Sequence, residues 1–345
     1  MILMKKLFSA LMLVVLLSFI LTSCGTDKST DVTSAPDSSI TESETTTQAE
    51  TTTTAAVTEP KKKEYATEML DVEKDSIIVG KLSPQHEFYN EVVTLDPECA
   101  DYINEISVYD KEIDDTFVIH LSLPPEYDST KKYPMIVMTD GVWRLSDHPE
   151  LRPLMKDGEI NPVIMVSIGY PNGYDYRTIR ERDLLKDPES YLHFIIDNLV
   201  PYLSENYSVD SENMTLTGHS YGGYWGFYAL FNSDTIGKNT FKNYYIGSPS
   251  FQASTGKENI ASFEEAYHSR NTKLDCNVYV SVGGYENTSF VNAITNFVDF
   301  LKKRNYEGLK LSYEIIDGYG HDNVFKPSIK NTMLMFYGKQ SNEAQ

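Results

Sequence analysis

Residues 214–223 read Met214-Thr215-Leu216-Thr217-Gly218-His219-Ser220-Tyr221-Gly222-Gly223, and the apolar run Tyr224-Trp225-Gly226-Phe227-Tyr228-Ala229-Leu230-Phe231 follows directly. Residues 214–217 have β-strand character, and the run from Tyr224 is long enough for about two helical turns. A strand, a G-x-S-x-G turn and a helix in that order form a nucleophile elbow. The turn is sharp, and a side chain at either neighbouring position would collide, so both flanking positions are glycine. The strain lifts the Ser220 hydroxyl clear of the sheet. Behind it, the helix N-terminus offers free amide N–H groups to a developing oxyanion. A bare G-x-S-x-G is a common accident; the strand before it and the helix after it single this one out.

Upstream of the elbow, residues 106–109 and 116–123 read as strands about the polar turn 110–115. Residues 135–139 and 163–168 are continuous apolar runs of the kind found in strands buried on both faces. Between Asp187 and Asn206, Leu192, Phe194, Ile195, Ile196, Leu199, Val200 and Leu203 recur at helical spacing. Strands alternating with helices in this rhythm predict an α/β fold with a mostly parallel sheet. Downstream, residues 278–282 and 310–316 read as further strands, while 232–271 leave room for a partial cap.

The ends of the chain differ sharply in composition. Lys5 and Lys6 precede an apolar run from Leu7 to Leu21, which is short for a bilayer span and has the layout of a secretory signal. Leu21-Thr22-Ser23-Cys24-Gly25 resembles the lipobox of bacterial lipoproteins. That resemblance implies cleavage before Cys24 and a diacylglyceryl group on its thiol, and two acyl chains hold a protein stably on a membrane. Residues 24–64 are rich in Ser and Thr, with no aromatic side chain up to Glu64. Such a segment cannot offset its ordering entropy and is expected to be a disordered tether spanning about 35 Å as a flexible coil.

The expected organisation is therefore a signal peptide over 1–23, the tether over 24–64, an N-terminal extension packed on the domain over 65–104, and the principal domain over 105–340. The net charge of −20 argues against nucleic acid as a partner and against direct attraction to anionic headgroups. Cys99 and Cys276 are far apart in sequence, and their pairing is open. No C-x-x-C or H-E-x-x-H spacing occurs, so no metal site and no cofactor are expected.

Leu123-Pro124-Pro125-Glu126-Tyr127, then Tyr133-Pro134 and a strand into Asp140-Gly141, resembles the opening of the bacterial esterases of the α/β-hydrolase superfamily. That group includes esterase D-like enzymes, feruloyl esterases, siderophore (enterochelin) esterases and mycolyltransferases. Arg180-Glu181-Arg182-Asp183, Pro201-Tyr202 through Tyr207, and Gly247-Ser248-Pro249-Ser250 look like the same group, and the siderophore-esterase branch is the nearest in flavour. The resemblance covers nearly all of 105–340. It implies an α/β-hydrolase fold, with a mostly parallel central sheet and helices on both faces.

A serine hydroxyl is a poor nucleophile near neutral pH without a base in hydrogen-bond reach. In α/β-hydrolases the acid and then the histidine follow the serine in the chain. His86, His120, His148 and His193 precede Ser220, His219 adjoins it, and His268 ends a helical stretch, which leaves His321 in the loop after strand 310–316. Glu286, just past the strand 278–282 and Gly283-Gly284, is the expected acid, since the family carries its acid after a similar glycine. A Ser-His dyad without it is the alternative. The oxyanion donors are expected at the backbone N–H of Tyr221, the residue after the serine, and, by the resemblance, of Val142. Trp143, Arg144, Arg180 and Arg182 are candidates for substrate contact, with internal packing or ion pairing the competing expectation.

The expected protein is a lipid-anchored, extracytoplasmic serine esterase acting through an acyl-enzyme on a siderophore-type or polysaccharide-linked ester. A transacylase on the same triad and a non-catalytic surface binding protein are its rivals.

Overall fold

The computed structural model describes residues 77–83, 85–88, 91–253 and 259–339. The expected signal peptide, Cys24, the expected tether and the first part of the expected extension lie outside the described residues. Eleven strands are described: β1 (Ile77–Lys81), β2 (Gln85–Phe88), β3 (Glu91–Thr94), β4 (Ile103–Asp110), β5 (Asp115–Ser122), β6 (Tyr133–Met138), β7 (Ile164–Gly169), β8 (Val209–His219), β9 (Asn243–Gly247), β10 (Asn277–Gly283) and β11 (Lys310–Ile316). Nine form one sheet in the order β1-β4-β5-β7-β6-β8-β9-β10-β11, and β2 and β3 pair as a separate antiparallel hairpin. From β7 through β11 every neighbouring pair is parallel, while β1, β4 and β5 add an antiparallel flank. The extension thus contributes its own edge strand, β1, paired to β4.

Both faces of β6, β7, β9 and β10 are buried, which explains their apolar runs, whereas β11 at the sheet edge is largely exposed. Along β6, Met135 and Val137 join the larger core, whereas Ile136 and Met138 join a second one on the opposite face. Helix Tyr221–Phe231 fills the larger core with Tyr224, Trp225, Phe227 and Phe231. Helices Asp147–Lys156 and Phe325–Tyr337 cover the other face through Leu151, Leu154, Ile329 and Met333. The result is an α/β architecture with a mostly parallel sheet and helices on both faces.

Two expectations are refined. Asp187 to Asn206 is helical as its periodicity predicts, but it widens at Phe194–Leu199, where the Val200 N–H reaches Ile195 O. Pro201 withholds the next backbone donor, so the regular ladder cannot run through. Residues 232–271 hold β9 and helix Ile260–His268, whose Phe263 packs edge-on against Tyr224 and Tyr228. Cys99 and Cys276 are both buried free thiols.

Candidate active site

The elbow is built as its glycines require. Ser220 sits at φ 61° and ψ −116°, a region that non-glycine residues occupy only when the surroundings hold them there. A Cβ on Gly218 would lie 2.1 Å from Gly222 O, and one on Gly222 would lie 2.5 Å from Thr139 Oγ1. The strained serine is pinned by three backbone hydrogen bonds: its N–H donates to Gly247 O, and its carbonyl accepts from Tyr224 N and Ser250 N.

Parallel pairing then brings four strand ends together. His219 lies level with Gly247, Ser281 with Gly247, and Gly283 with Ile316. The residues that follow β8, β9, β10 and β11 therefore emerge side by side at the carboxyl edge, where open α/β sheets bind ligands. His321 Nε2 is 2.9 Å from Ser220 Oγ, and His321 Nδ1 is 2.7 Å from Glu286 Oε2. The other Glu286 oxygen accepts from Ser248 Oγ at 2.6 Å and from Gly283 N at 2.9 Å. Burial opposes ionisation of Glu286, but hydrogen bonds from His321, Ser248 and the Gly283 amide outweigh it and hold the carboxyl below its ordinary value. The carboxylate is thus ionised at neutral pH, oriented on both oxygens, and 4% exposed, while His321 remains open to solvent.

A further strand end, that of β6, lies beside them. Asp140, in the left-handed region at φ 61°, turns the chain into the short helix Gly141–Arg144. A Cβ on Gly141 would stand 2.5 Å from Ile168 C, so only glycine fits. Asp140 Oδ2 lies beside Gly222, which sets this helix start against that of Tyr221–Phe231. The backbone N–H groups of Tyr221 and Val142 both fall in the first turns of their helices, where amides have no intrahelical partner.

The arginines proposed for substrate contact are spent inside the fold. Arg180 donates to both oxygens of Asp140 at 2.6 and 3.1 Å, and to His219 O at 3.3 Å. Arg182 is held by Asp183 and Asp115. Arg144 pairs with Asp147 at 3.1 Å and lies 3.5 Å over the Phe325 ring. Each carboxylate neutralises a guanidinium that burial would otherwise leave uncompensated. Trp143 differs: it packs its edge on Tyr176 yet stays 37% exposed beside the site.

Three further residues escape a reading of local sequence. Ser248, at φ 38°, orients the acid. Ser250 Oγ is 3.3 Å from Ser220 Oγ. His219 points away from the serine but under the histidine loop: its Nε2 is 2.9 Å from His321 O, and the two rings lie 4.9 Å apart. Burial, then His321 and Arg144, hold His219 well below the usual imidazole range, so it is neutral and donates from Nε2. Gly247-Ser248-Pro249-Ser250 is visible in sequence as a motif, but its roles depend on where β10 ends.

A sequence model of the esterase family, described as "Putative esterase", matches residues 111–325. The ferri-bacillibactin esterase BesA of Bacillus subtilis (strain 168) is 27% identical over 160 residues, 39% of this chain and 54% of BesA. The chain thus spans about half the length of that curated relative. Among solved structures, the BES protein from Bacillus cereus superposes with a TM-score of 0.60 at 22% identity, over 74% of this chain and all of that one. The siderophore hydrolase EstB from Aspergillus nidulans does so with a TM-score of 0.59 at 22% identity, over 71% of this chain and 97% of its own. These structures share the fold, and with the match over most of the principal domain the chain belongs to the esterase family.

Proposed function

We propose that the protein is a serine carboxylic ester hydrolase in which Ser220, His321 and Glu286 act as one unit. The observation that carries this reading is the unbroken line Ser220 Oγ–His321–Glu286, at 2.9 and 2.7 Å. His321 Nε2 takes the Ser220 proton as Oγ adds to the ester carbonyl, and the Tyr221 and Val142 amides receive the oxyanion. Collapse of the tetrahedral intermediate expels the alcohol, which leaves with the proton from His321. A water then repeats the sequence on the acyl-enzyme and frees the acid. Glu286 holds His321 in the tautomer that accepts at Nε2 and stabilises its charged form.

The test is hydrolysis of p-nitrophenyl acetate and butyrate, followed by treatment with a fluorophosphonate. One adduct per chain, on Ser220, with activity falling in step, is the expected result. An adduct on another serine, or hydrolysis that survives complete labelling, would sink the assignment.

The names of the relatives favour a siderophore-type ester as substrate. Hydrolysis of a catecholate trilactone with no release of hydroxycinnamate from arabinoxylan is expected; the reverse pattern would move the assignment to polysaccharide-linked esters. We further propose that the mature chain is tethered to the outer face of the cell membrane through lipid on Cys24. Cys24→Ala should shift the protein from the membrane to the soluble fraction, and unchanged recovery with membranes would refute the anchor.

A further inference from the structure

Away from the esterase site, the N-terminal hairpin closes on the antiparallel flank of the sheet through side chains that the proposed reaction does not use. His86 on β2, Glu105 on β4 and His120 on β5 bring one ligand atom each to within 4.8 Å of one another. Glu105 and His120 are direct cross-strand partners in the β4–β5 ladder, so their approach is fixed by register. Glu105 Oε2 is 3.3 Å from His120 Nε2 and 3.5 Å from His86 Nε2. The Ser83 carbonyl oxygen is 3.0 Å from that same His86 nitrogen.

We propose that His86, Glu105 and His120 bind a divalent first-row transition ion, with zinc the best match. Donor atoms about 2.0–2.1 Å from a tetrahedral ion stand roughly 3.3–3.4 Å apart, close to the 3.3 and 3.5 Å between Glu105 Oε2 and the two imidazoles. Two imidazoles and one carboxylate suit zinc and its first-row neighbours, whereas magnesium and calcium prefer all-oxygen sets. The Ser83 carbonyl or a water completes the coordination.

The surroundings accept an added partner. Both histidines are buried, at 4% and 2% exposure. Among the described residues, His120 Nδ1, Ser122 Oγ and the neighbouring His148 Nδ1 are buried without a hydrogen-bond partner. Buried polar atoms in that state are normally met by water or an ion. His120 and Ser122 lie on the same face of β5. Short-range spacing motifs miss this set, because its members come from three strands.

The ion would clasp the hairpin β2–β3 to β4 and β5, and its effect is on stability. The experiment uses the whole chain, purified without a histidine tag, stripped with chelator and dialysed against zinc or cobalt(II). One equivalent per chain is expected, with visible d–d absorption for cobalt. At zinc about a hundredfold above Kd the unfolding midpoint should rise by roughly 5–10 °C. Glu105→Gln, His120→Ala and His86→Ala, each checked for folding by circular dichroism, should weaken binding by two orders of magnitude or more. Failure of the wild-type chain to bind either metal overturns the proposal whatever the variants do. So does a midpoint rise of equal size in all three folded variants, which would put the ion elsewhere.

Discussion

Ser220→Ala is expected to lower kcat for p-nitrophenyl butyrate by about 10⁶ while leaving the fold intact. The substitution removes one oxygen and keeps a Cβ, so the backbone at φ 61° stays under the same three hydrogen bonds to Gly247, Tyr224 and Ser250. Without Oγ, no atom can form the acyl bond, and His321 and Glu286 are left with no proton to move. What remains is the contribution of the oxyanion donors to direct attack by water, about 10³–10⁴ over the uncatalysed rate. Stopped-assay kinetics at saturating substrate, with circular dichroism to show the fold, give the measurement. A loss near tenfold would mean that a different group carries the chemistry.

Glu286→Gln should cost about 10⁴ in kcat with little change in KM. The wild-type carboxylate accepts from His321 Nδ1 on one oxygen and from Ser248 and Gly283 on the other. An amide of the same shape keeps its oxygen toward the two donors and turns its NH₂ toward His321. That NH₂ donates to Nδ1 and moves the ring proton to Nε2, where it blocks acceptance from Ser220. The same substitution has a pH signature. The carboxyl is held below its ordinary value, so its contribution to stability is complete above the ordinary carboxylate pKa and is lost as pH falls through the lowered one. Denaturant titrations should find wild type and variant differing most near neutrality and converging in acid. Wild-type kcat in the variant would leave a Ser220–His321 dyad as the working unit.

The strand ends were legible because their chemistry is local. Glycines around Ser220 mark a turn that only they can make, and the runs 135–139, 163–168 and 278–282 are apolar on both faces because both faces are covered. Chain order then supplied Glu286 and His321, and the β10–β11 register puts them in contact. Less visible were relations that span the sheet. Arg180 stands in a stretch that looks open to substrate, but its partner is Asp140, just past the end of β6 and 40 residues earlier in the chain. His219 adjoins the serine in sequence, yet its function depends on a loop 102 residues later. Sequence neighbours report what a turn permits; they do not report which charge waits across a sheet.

The distance between Ser220 and His321 along the chain, 101 residues, has a bearing on how the protein is made. In the proposed triad the base arrives only with the loop after β11, the last strand in the chain and one of the two edges of the sheet. A nascent or threading chain that has completed β8 and its elbow holds a serine with no base and no acid, and so cannot attack an ester. The proposed triad is complete only once β11 pairs with β10. On the proposed reading, biosynthesis passes in chemical silence, and the first turnover waits for the folded sheet.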